Sequence, residues 1–268
     1  MAPLPKYLTG DKEGIKKFID QFDVFLFDCD GVLWSGDHLF EGTVDTLEML
    51  RSKGKQLVFV TNNSTKSRAD YKKKLDAMGI PAKVHELTSA HIPHLGGTDP
   101  TLLRAITPAD HAAIAAGTAL DPSVGAVLCG LDFHLNYLKL SLAYHYLRRG
   151  AVFLATNTDS SLPSAGALFP GAGAVSAPLV KMVGREPLSL GKPSQAMMDA
   201  IEGKFRFERA RACMVGDRLD TDIRFGIEGG LGGTLAVLTG VSRKEEWEGE
   251  GKPVVPMAYV DKLGDLRG

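Results

Sequence analysis

Short runs of apolar residues alternate with amphipathic stretches along the first third of the chain. Val24–Phe27 and Leu57–Val60 are continuously apolar, which predicts two buried strands. Apolar residues at 44, 47 and 50 predict a helix that ends at Gly54, and residues 66–78 predict a second, basic helix. This β-α-β-α order is typical of a parallel sheet with helical crossovers.

The same alternation returns in the last third of the chain, after an interruption between residues 90 and 184. In the last third, the pattern predicts helices over 194–203 and near 221–226, and strands over 212–215, 234–238 and 259–260. In the interruption it predicts strands over 126–129 and 151–155, a helix over 138–149, and a loop from residue 160 into a helix ending near 183. We therefore predict a second α/β unit inserted into the first.

Composition and charge narrow the classes of protein that fit. Hydrophobic residues at 44% and charged residues at 24% are globular averages, which removes support for a disordered, collagen-like or coiled-coil chain. A net charge of -1 does not provide the excess of positive charge that nonspecific binding to nucleic acid or to an anionic membrane needs. An odd number of cysteines in apolar runs and no signal peptide favour a cytoplasmic protein. The uncharged residues 160–180 contain prolines and glycines, which favours a loop over a membrane span.

Two carboxylates follow the first predicted strand, at Asp28 and Asp30. In open α/β sheets, the carboxyl edge of the strands is where ligands bind. Two anions this close repel each other, so a site that keeps both ionised needs a cation, for which Mg²⁺ is well suited. Taken alone, an Asp-x-Asp pair also fits an ordinary surface turn.

Further polar groups follow other predicted strands. Thr61–Ser64 offers a hydroxyl, amides and backbone N–H groups before a helix, which suits phosphate oxygens but equally an ordinary helix N-cap. Lys192 precedes a predicted helix, and Gly216–Asp222 follows another strand with three more carboxylates. Each has a structural explanation, but together they put acids, a hydroxyl and a lysine at one edge of one sheet, which predicts a catalytic site.

In order and spacing, these residues resemble the four motifs of the haloacid dehalogenase superfamily. The motifs begin at Asp28-x-Asp30, Thr61, Lys192 and Gly216-Asp217. The 131 residues from the second motif to the third are similar to the branch with an inserted α/β cap, the 4-nitrophenylphosphatase, phosphoglycolate phosphatase and pyridoxal phosphatase group, and most of all to its fungal members. The resemblance implies an α/β fold with a Rossmann-like core over 1–88 and 187–268 and a cap over 89–186.

The resemblance also implies roles for the motif residues. Asp28 would be the nucleophile and Asp30 the general acid and base. Mg²⁺ would be held by the Asp28 carboxylate, the Asp30 carbonyl and Asp217, with Asp222 supporting them. The groups expected to hold and neutralise the phosphoryl oxygens are Thr61, the Asn62 backbone, Asn63 and Lys192.

One segment departs from the pattern of this branch. Glu86–Ala90 passes almost directly to Ile92–Asp99, so about one helix-strand-helix unit of the cap is expected to be absent. Because relatives pair through the cap, a homodimer is possible but rests on an altered surface. Losing a cap strand exposes a sheet edge, which affects both stability and specificity.

The implied function is Mg²⁺-dependent hydrolysis of small phosphomonoesters. The resemblance favours 2-phosphoglycolate, with p-nitrophenyl phosphate as an artificial substrate and pyridoxal phosphate or glycerol phosphate as alternatives. A second hypothesis is a catalytically impaired, regulatory protein that still binds Mg²⁺ and phosphate but whose shortened cap no longer closes. A phosphomutase, which would depend on a bisphosphate activator, is a third.

Overall fold

The computed structural model describes residues 4–63, 67–80, 82, 86–89, 100–164, 167–249 and 251–268. The strands are β1 (Lys6–Tyr7), β2 (Val24–Phe27), β3 (Trp34–Ser35), β4 (His38–Leu39), β5 (Gln56–Thr61), β6 (Leu87–Ser89), β7 (Ala126–Cys129), β8 (Val152–Ala155), β9 (Ser161–Ser164), β10 (Ala167–Pro170), β11 (Leu188–Ser189), β12 (Ala212–Gly216), β13 (Gly233–Val237) and β14 (Ala258–Val260). The helices are α1 (Lys12–Asp20), α2 (Thr43–Ser52), α3 (Arg68–Ala77), α4 (Pro108–Ala116), α5 (Tyr137–Arg148), α6 (Ala172–Val183), α7 (Gln195–Phe205) and α8 (Arg224–Glu228).

The chain divides into two compact units, residues 1–89 with 192–268, and residues 90–191. The first unit contains a seven-stranded sheet in the order β1-β14-β13-β12-β2-β5-β6, in which every neighbouring pair is parallel. The predicted α/β fold with a parallel core sheet is therefore confirmed. Because the strands run in one direction, the residues that follow β2, β5, β12 and β13 emerge at the same edge of the sheet.

The central strands are continuously apolar because both faces of the sheet are covered. Phe25 and Phe27 point into a cluster that includes Leu47 of α2, whereas Val24 and Leu26 point into a cluster on the opposite face that includes residues of α7. Side chains alternate between the faces of a strand, so a strand buried on both faces needs apolar residues at every position. This is why these strands are readable from sequence.

The second unit has a smaller parallel sheet in the order β11-β8-β7. Phe153 of β8 packs with Leu147 of α5 and Leu179 of α6 on one face. On the other face, Leu128 and Val152 are exposed. The junction at which we expect the cap to be shortened includes residues 90–99, which lie outside the described part of the chain.

Two elements differ from the sequence prediction. Within the segment expected as a loop, β9 and β10 pair as antiparallel strands, and Leu168 and Phe169 of β10 are exposed. Because β10 is exposed along its length, it lacks the alternation of buried and exposed positions that marks a half-buried strand. The helix expected near 221–226 is one turn of π-helix, Leu219–Ile223, that continues into α8. Within the described ranges, no helix has the length and apolarity that a membrane crossing requires.

Candidate active site

The first motif begins where β2 ends, and its turn is fixed by a glycine. The Asp28 backbone N–H donates to the carbonyl of Val215 at 2.9 Å, so Asp28 is still held by the neighbouring strand β12. Gly31 has a φ of +92°, and a Cβ built there would lie 2.5 Å from Asp217 Oδ2. Glycine is therefore needed for both the backbone conformation and the close approach of Asp217.

Lys192 lies at the centre of the site with its ammonium between two carboxylates. Its Nζ is 2.5 Å from Asp28 Oδ1 and 2.8 Å from Asp222 Oδ1, and it donates to the carbonyl of Val60 at 2.9 Å. The side chain is 1% exposed. Burial by itself lowers the pKa of Lys192, but Asp222 and Asp28 outweigh it and raise the pKa well above its ordinary value. The ammonium therefore stays charged.

The backbone of Lys192 is held by the side chain of Asn62. Asn62 Oδ1 accepts from the Lys192 backbone N–H at 2.7 Å, and Asn62 Nδ2 donates to the Lys192 carbonyl at 3.1 Å. The two residues are 130 positions apart in the chain. The amide thus aligns the residue after β5 with the lysine, so any contact of Asn62 with phosphate falls to its backbone.

Asp222 supports the loop that carries Asp217. Its Oδ2 accepts from the backbone N–H groups of Asp217 and Arg218, each at 3.1 Å. A Cβ at Gly216 would lie 2.1 Å from the Asp222 Cβ, so the glycine lets this side chain fold back under the loop. With Oδ1 on Lys192 and Oδ2 on the backbone, Asp222 acts as a buried structural anion.

Asp217 has one engaged oxygen and one that is unused. Its Oδ2 accepts from the Val241 backbone N–H at 2.8 Å. Its Oδ1 is buried and has no hydrogen-bond partner within the described ranges. Burial and, after it, the neighbouring Asp222 raise the pKa of Asp217 to about 7.

The nucleophile candidate is also pushed towards its neutral form. Burial raises the pKa of Asp28 well above its ordinary value, the positive charge of Lys192 opposes this, and Asp222 and Asp217 add to it. Buried carboxylates that crowd together are stabilised by a cation. Lys192 supplies one positive charge to this cluster, and a divalent ion would supply more.

The carboxylates fit a hard divalent cation. Ligand oxygens of Asp28, Asp217 and Asp222 lie within 4.8 Å of one another, and all three residues are buried. Mg²⁺ prefers oxygen ligands from one or two carboxylates and keeps several waters. The unpartnered Oδ1 of Asp217 is the donor that such an ion would satisfy, whereas both oxygens of Asp222 already accept hydrogen bonds.

The residues after β5 present a hydroxyl to the same region. Thr61 is 2% exposed, and its Oγ1 accepts from the Asn63 backbone N–H at 3.1 Å. Tyr71 of α3 makes a further side-chain hydrogen bond with Thr61. Of the residues predicted to bind phosphate, Ser64 lies outside the described part of the chain.

Sequence reasoning missed the segment that follows β13. The Thr239 hydroxyl donates to the Gly31 carbonyl at 2.5 Å, and the backbone N–H of Ser242 donates to the Asp217 carbonyl at 2.9 Å. A Cβ at Gly240 would lie 1.9 Å from Asp217 Oδ2. The available signal was the run Thr239–Ser242 at the end of a parallel strand, on the same edge as the other motifs.

Two known families match the core of the chain. The family described as haloacid dehalogenase-like hydrolase matches residues 25–95, and the family described as HAD-hydrolase-like matches residues 189–266. Between them, these ranges contain every residue that the site brings together. The match confirms the resemblance that the motifs indicated.

Relatives of known name align with nearly the whole chain. A 4-nitrophenylphosphatase of Schizosaccharomyces pombe is 46% identical over 299 positions, covering 98% of this chain and 99% of the relative. Phosphoglycolate phosphatase 1A of Arabidopsis thaliana, a chloroplastic protein, is 38% identical, covering 96% of this chain and 80% of the relative. Since this chain has 268 residues, at least 31 of the 299 positions stand opposite gaps in it.

Solved structures show the same architecture. A 4-nitrophenylphosphatase of Thermotoga maritima matches with a TM-score of 0.74 and 32% identity, covering 92% of this chain and 97% of that one. A glycerol phosphate phosphatase of Mycobacterium tuberculosis, solved in complex with magnesium, matches with a TM-score of 0.72 and 27% identity, covering 92% and 77%. The chain therefore belongs to the haloacid dehalogenase-like hydrolases, in the group that contains the 4-nitrophenylphosphatases and phosphoglycolate phosphatases.

Proposed function

We propose that this protein is a Mg²⁺-dependent phosphomonoesterase that works through an aspartyl-phosphate intermediate. The observation that carries the proposal is the buried ammonium of Lys192, which holds Asp28 in place at 2.5 Å and balances part of its charge. A buried carboxyl held by a cation is suited to act as a nucleophile, because its direction is set before the substrate arrives and Lys192 opposes the protonation that burial favours.

In the first step, an oxygen of Asp28 attacks phosphorus while the bond from phosphorus to the ester oxygen breaks. The Asp30 carboxyl gives its proton to the departing alkoxide, which leaves as an alcohol. Thr61, the Asn62 backbone, Asn63 and Lys192 stabilise the charge on the phosphoryl oxygens.

In the second step, water attacks the phosphorus of the aspartyl-phosphate. Asp30, now a carboxylate, takes a proton from that water, and the bond between phosphorus and the Asp28 oxygen breaks. Inorganic phosphate is released, and both carboxyl groups return to their starting states. An aspartate at position 30 favours this turnover over a lasting phosphoaspartate.

Asp28, Asp217 and the carbonyl of Asp30 would hold Mg²⁺, with Asp222 supporting the loop. When bound there, the ion would supply positive charge beside the reacting phosphoryl group. Asp222 keeps the Asp217 loop closed through its two hydrogen bonds to backbone N–H groups, so it orients the ligands without needing to bind the ion.

We propose small phosphorylated metabolites as substrates, with 2-phosphoglycolate first and p-nitrophenyl phosphate as an artificial substrate. The names of the S. pombe and A. thaliana relatives support these two compounds. Glycerol phosphate is the second candidate because relatives in chicken and mammals are named glycerol-3-phosphate phosphatases. A cytoplasmic location and a homodimer through the cap complete the proposal.

The decisive experiment is hydrolysis of p-nitrophenyl phosphate, 2-phosphoglycolate and glycerol 3-phosphate with Mg²⁺ and with EDTA. Asp28→Asn should abolish activity on all three substrates, and rapid acid quench of the unsubstituted protein should trap phosphate on Asp28. The matched control is Asp23→Asn, since Asp23 lies at the opposite end of β2 and pairs on the surface with Arg211.

Activity that resists EDTA, or that survives in Asp28→Asn, would contradict the mechanism. Hydrolysis of p-nitrophenyl phosphate without hydrolysis of either metabolite would favour the second hypothesis, in which the shortened cap no longer selects a natural substrate. The absence of all activity in folded protein that still binds Mg²⁺ would favour a regulatory role.

A further inference from the structure

The indole of Trp34 is aimed at one oxygen of Asp30. Trp34 is fully buried, and its Nε1 donates to Asp30 Oδ1 at 2.8 Å. The turn between them is closed by the Gly31 backbone N–H, which donates to the Trp34 carbonyl at 2.7 Å. A buried indole on a closed turn has few alternative positions, so this hydrogen bond fixes the direction of the Asp30 side chain.

The ammonium of Lys74, on α3, lies over the face of the Trp34 indole. It lies 4.4 Å from the centroid of the Trp34 ring, donates to the Gly36 carbonyl at 2.9 Å, and is 4.0 Å from Asp30 Oδ1. A cation over the face of a tryptophan is attracted by the ring. Because Gly36 lies in the turn between β3 and β4, Lys74 joins α3, the hairpin and the indole into one support.

The two oxygens of Asp30 are left in different environments. Oδ1 accepts the indole N–H, whereas Oδ2 is buried and has no hydrogen-bond partner among the residues that the structure describes. The hydrogen bond from the indole is therefore the contact that orients the Asp30 carboxyl.

We propose that Trp34, held by Lys74, is a positioning residue that orients the Asp30 carboxyl for its proton transfers. The inference rests on the proposed function, because it assigns a support to the acid and base of that reaction. Neither Trp34 nor Lys74 needs to touch the substrate for this role.

Substrates with different leaving groups separate positioning from general stability. An alkoxide leaves poorly without a proton, whereas p-nitrophenolate leaves readily as an anion. Loss of a well-placed acid should therefore lower kcat/KM more for glycerol 3-phosphate than for p-nitrophenyl phosphate. General acid catalysis contributes about 10²–10⁴-fold, so partial loss through misplacement should be about tenfold. A variant that is only less folded loses both activities by the same factor.

The test compares Trp34→Phe with Trp247→Phe. Both indoles are buried, but the indole N–H of Trp247 has no hydrogen-bond partner within the ranges described, so its loss removes ring atoms alone. We expect Trp34→Phe to lower kcat/KM for glycerol 3-phosphate about tenfold more than for p-nitrophenyl phosphate, and Trp247→Phe to leave the ratio of the two unchanged. Lys74→Met should shift the ratio in the same direction, with Lys72→Met as its control on the same helix.

The outcomes distinguish failure of the inference from failure of the proposed function. If Asp30→Asn does not change the ratio, Asp30 is not the acid and the proposed mechanism fails. If Asp30→Asn changes the ratio but Trp34→Phe lowers both activities equally or neither, the positioning role is overturned. If Trp34→Phe does not fold, the ratio in Lys74→Met decides, and an unchanged ratio there overturns the role.

Discussion

Replacing Lys192 with methionine should destabilise the protein far more than the loss of a surface lysine. The ammonium lies 2.5 Å from Asp28 and 2.8 Å from Asp222, so at an effective dielectric constant of about 20 each contact contributes about 6–7 kcal/mol of gross attraction. Burial of three charged groups offsets most of this. Breaking a buried pair while its partners stay buried costs about 3–5 kcal/mol, which is the loss we expect for Lys192→Met.

A matched control separates the effect of burial from the effect of the distance between the two charges. Lys16 and Asp20 form an ion pair at 2.6 Å, nearly the same distance, but their side chains are 72% and 50% exposed. Water screens an exposed i,i+4 pair, so its contribution to stability is small. Urea unfolding in EDTA should therefore show that Lys192→Met lowers the free energy of unfolding several-fold more than Lys16→Met does.

The pH dependence of this loss has a definite sign. Burial raises the folded-state pKa of Asp28 and brings that of Asp217 to about 7, so both carboxyls favour folding while protonated and lose that contribution as pH rises through the folded-state pKa. Removing Lys192 raises both pKa values further. The difference in the free energy of unfolding between the unsubstituted protein and Lys192→Met should thus be smaller at pH 5 than at pH 8. A loss no larger than that of Lys16→Met, or one independent of pH, would refute the reasoning.

Two further predictions concern the metal site. Gly240→Ala places a methyl group 1.9 Å from Asp217 Oδ2 and should raise the Mg²⁺ concentration for half-maximal activity about 10–100-fold, whereas Gly203→Ala, with nothing within 4 Å, should not. An unchanged Mg²⁺ requirement in Gly240→Ala would show that Asp217 is not a ligand. Because the pKa of Asp217 is about 7, protons compete with Mg²⁺ below that pH, so a fixed Mg²⁺ concentration should raise Tm more at pH 8 than at pH 6. An equal shift in thermal melts at the two pH values would contradict that competition.

The sequence was most informative where burial was complete. Val24–Phe27 is apolar at every position because both faces of the sheet are covered, and a short apolar run between amphipathic stretches has few other interpretations. The exposed strands escaped prediction for the complementary reason. Lys6–Tyr7 is exposed at both positions, and its pairing with β14 depends on backbone contacts that the side chains do not signal.

The members of the candidate site were predictable, but their contacts were not. Parallel strands bring their carboxyl ends together, so a residue list follows from the order of strands and motifs alone. The hydrogen bonds between Asn62 and the backbone of Lys192 join residues 130 positions apart. They depend on how the end of β5 is placed relative to the segment before α7, which no local sequence pattern encodes. The prediction assigned phosphate to the backbone of Asn62 and gave its side chain no role, whereas the amide oxygen and nitrogen both contact Lys192.

The same reasoning explains why a lysine can be so deeply buried at this site. A lysine before a helix is by default a surface residue, since removing an ammonium from water costs several kcal/mol. Here the strand order brings Asp28 and Asp222 within 2.5 and 2.8 Å of Nζ, and the Val60 carbonyl accepts a further hydrogen bond. Lys192 can therefore be buried because three separate segments converge on it. Each segment supplies an oxygen that replaces the water around a surface ammonium.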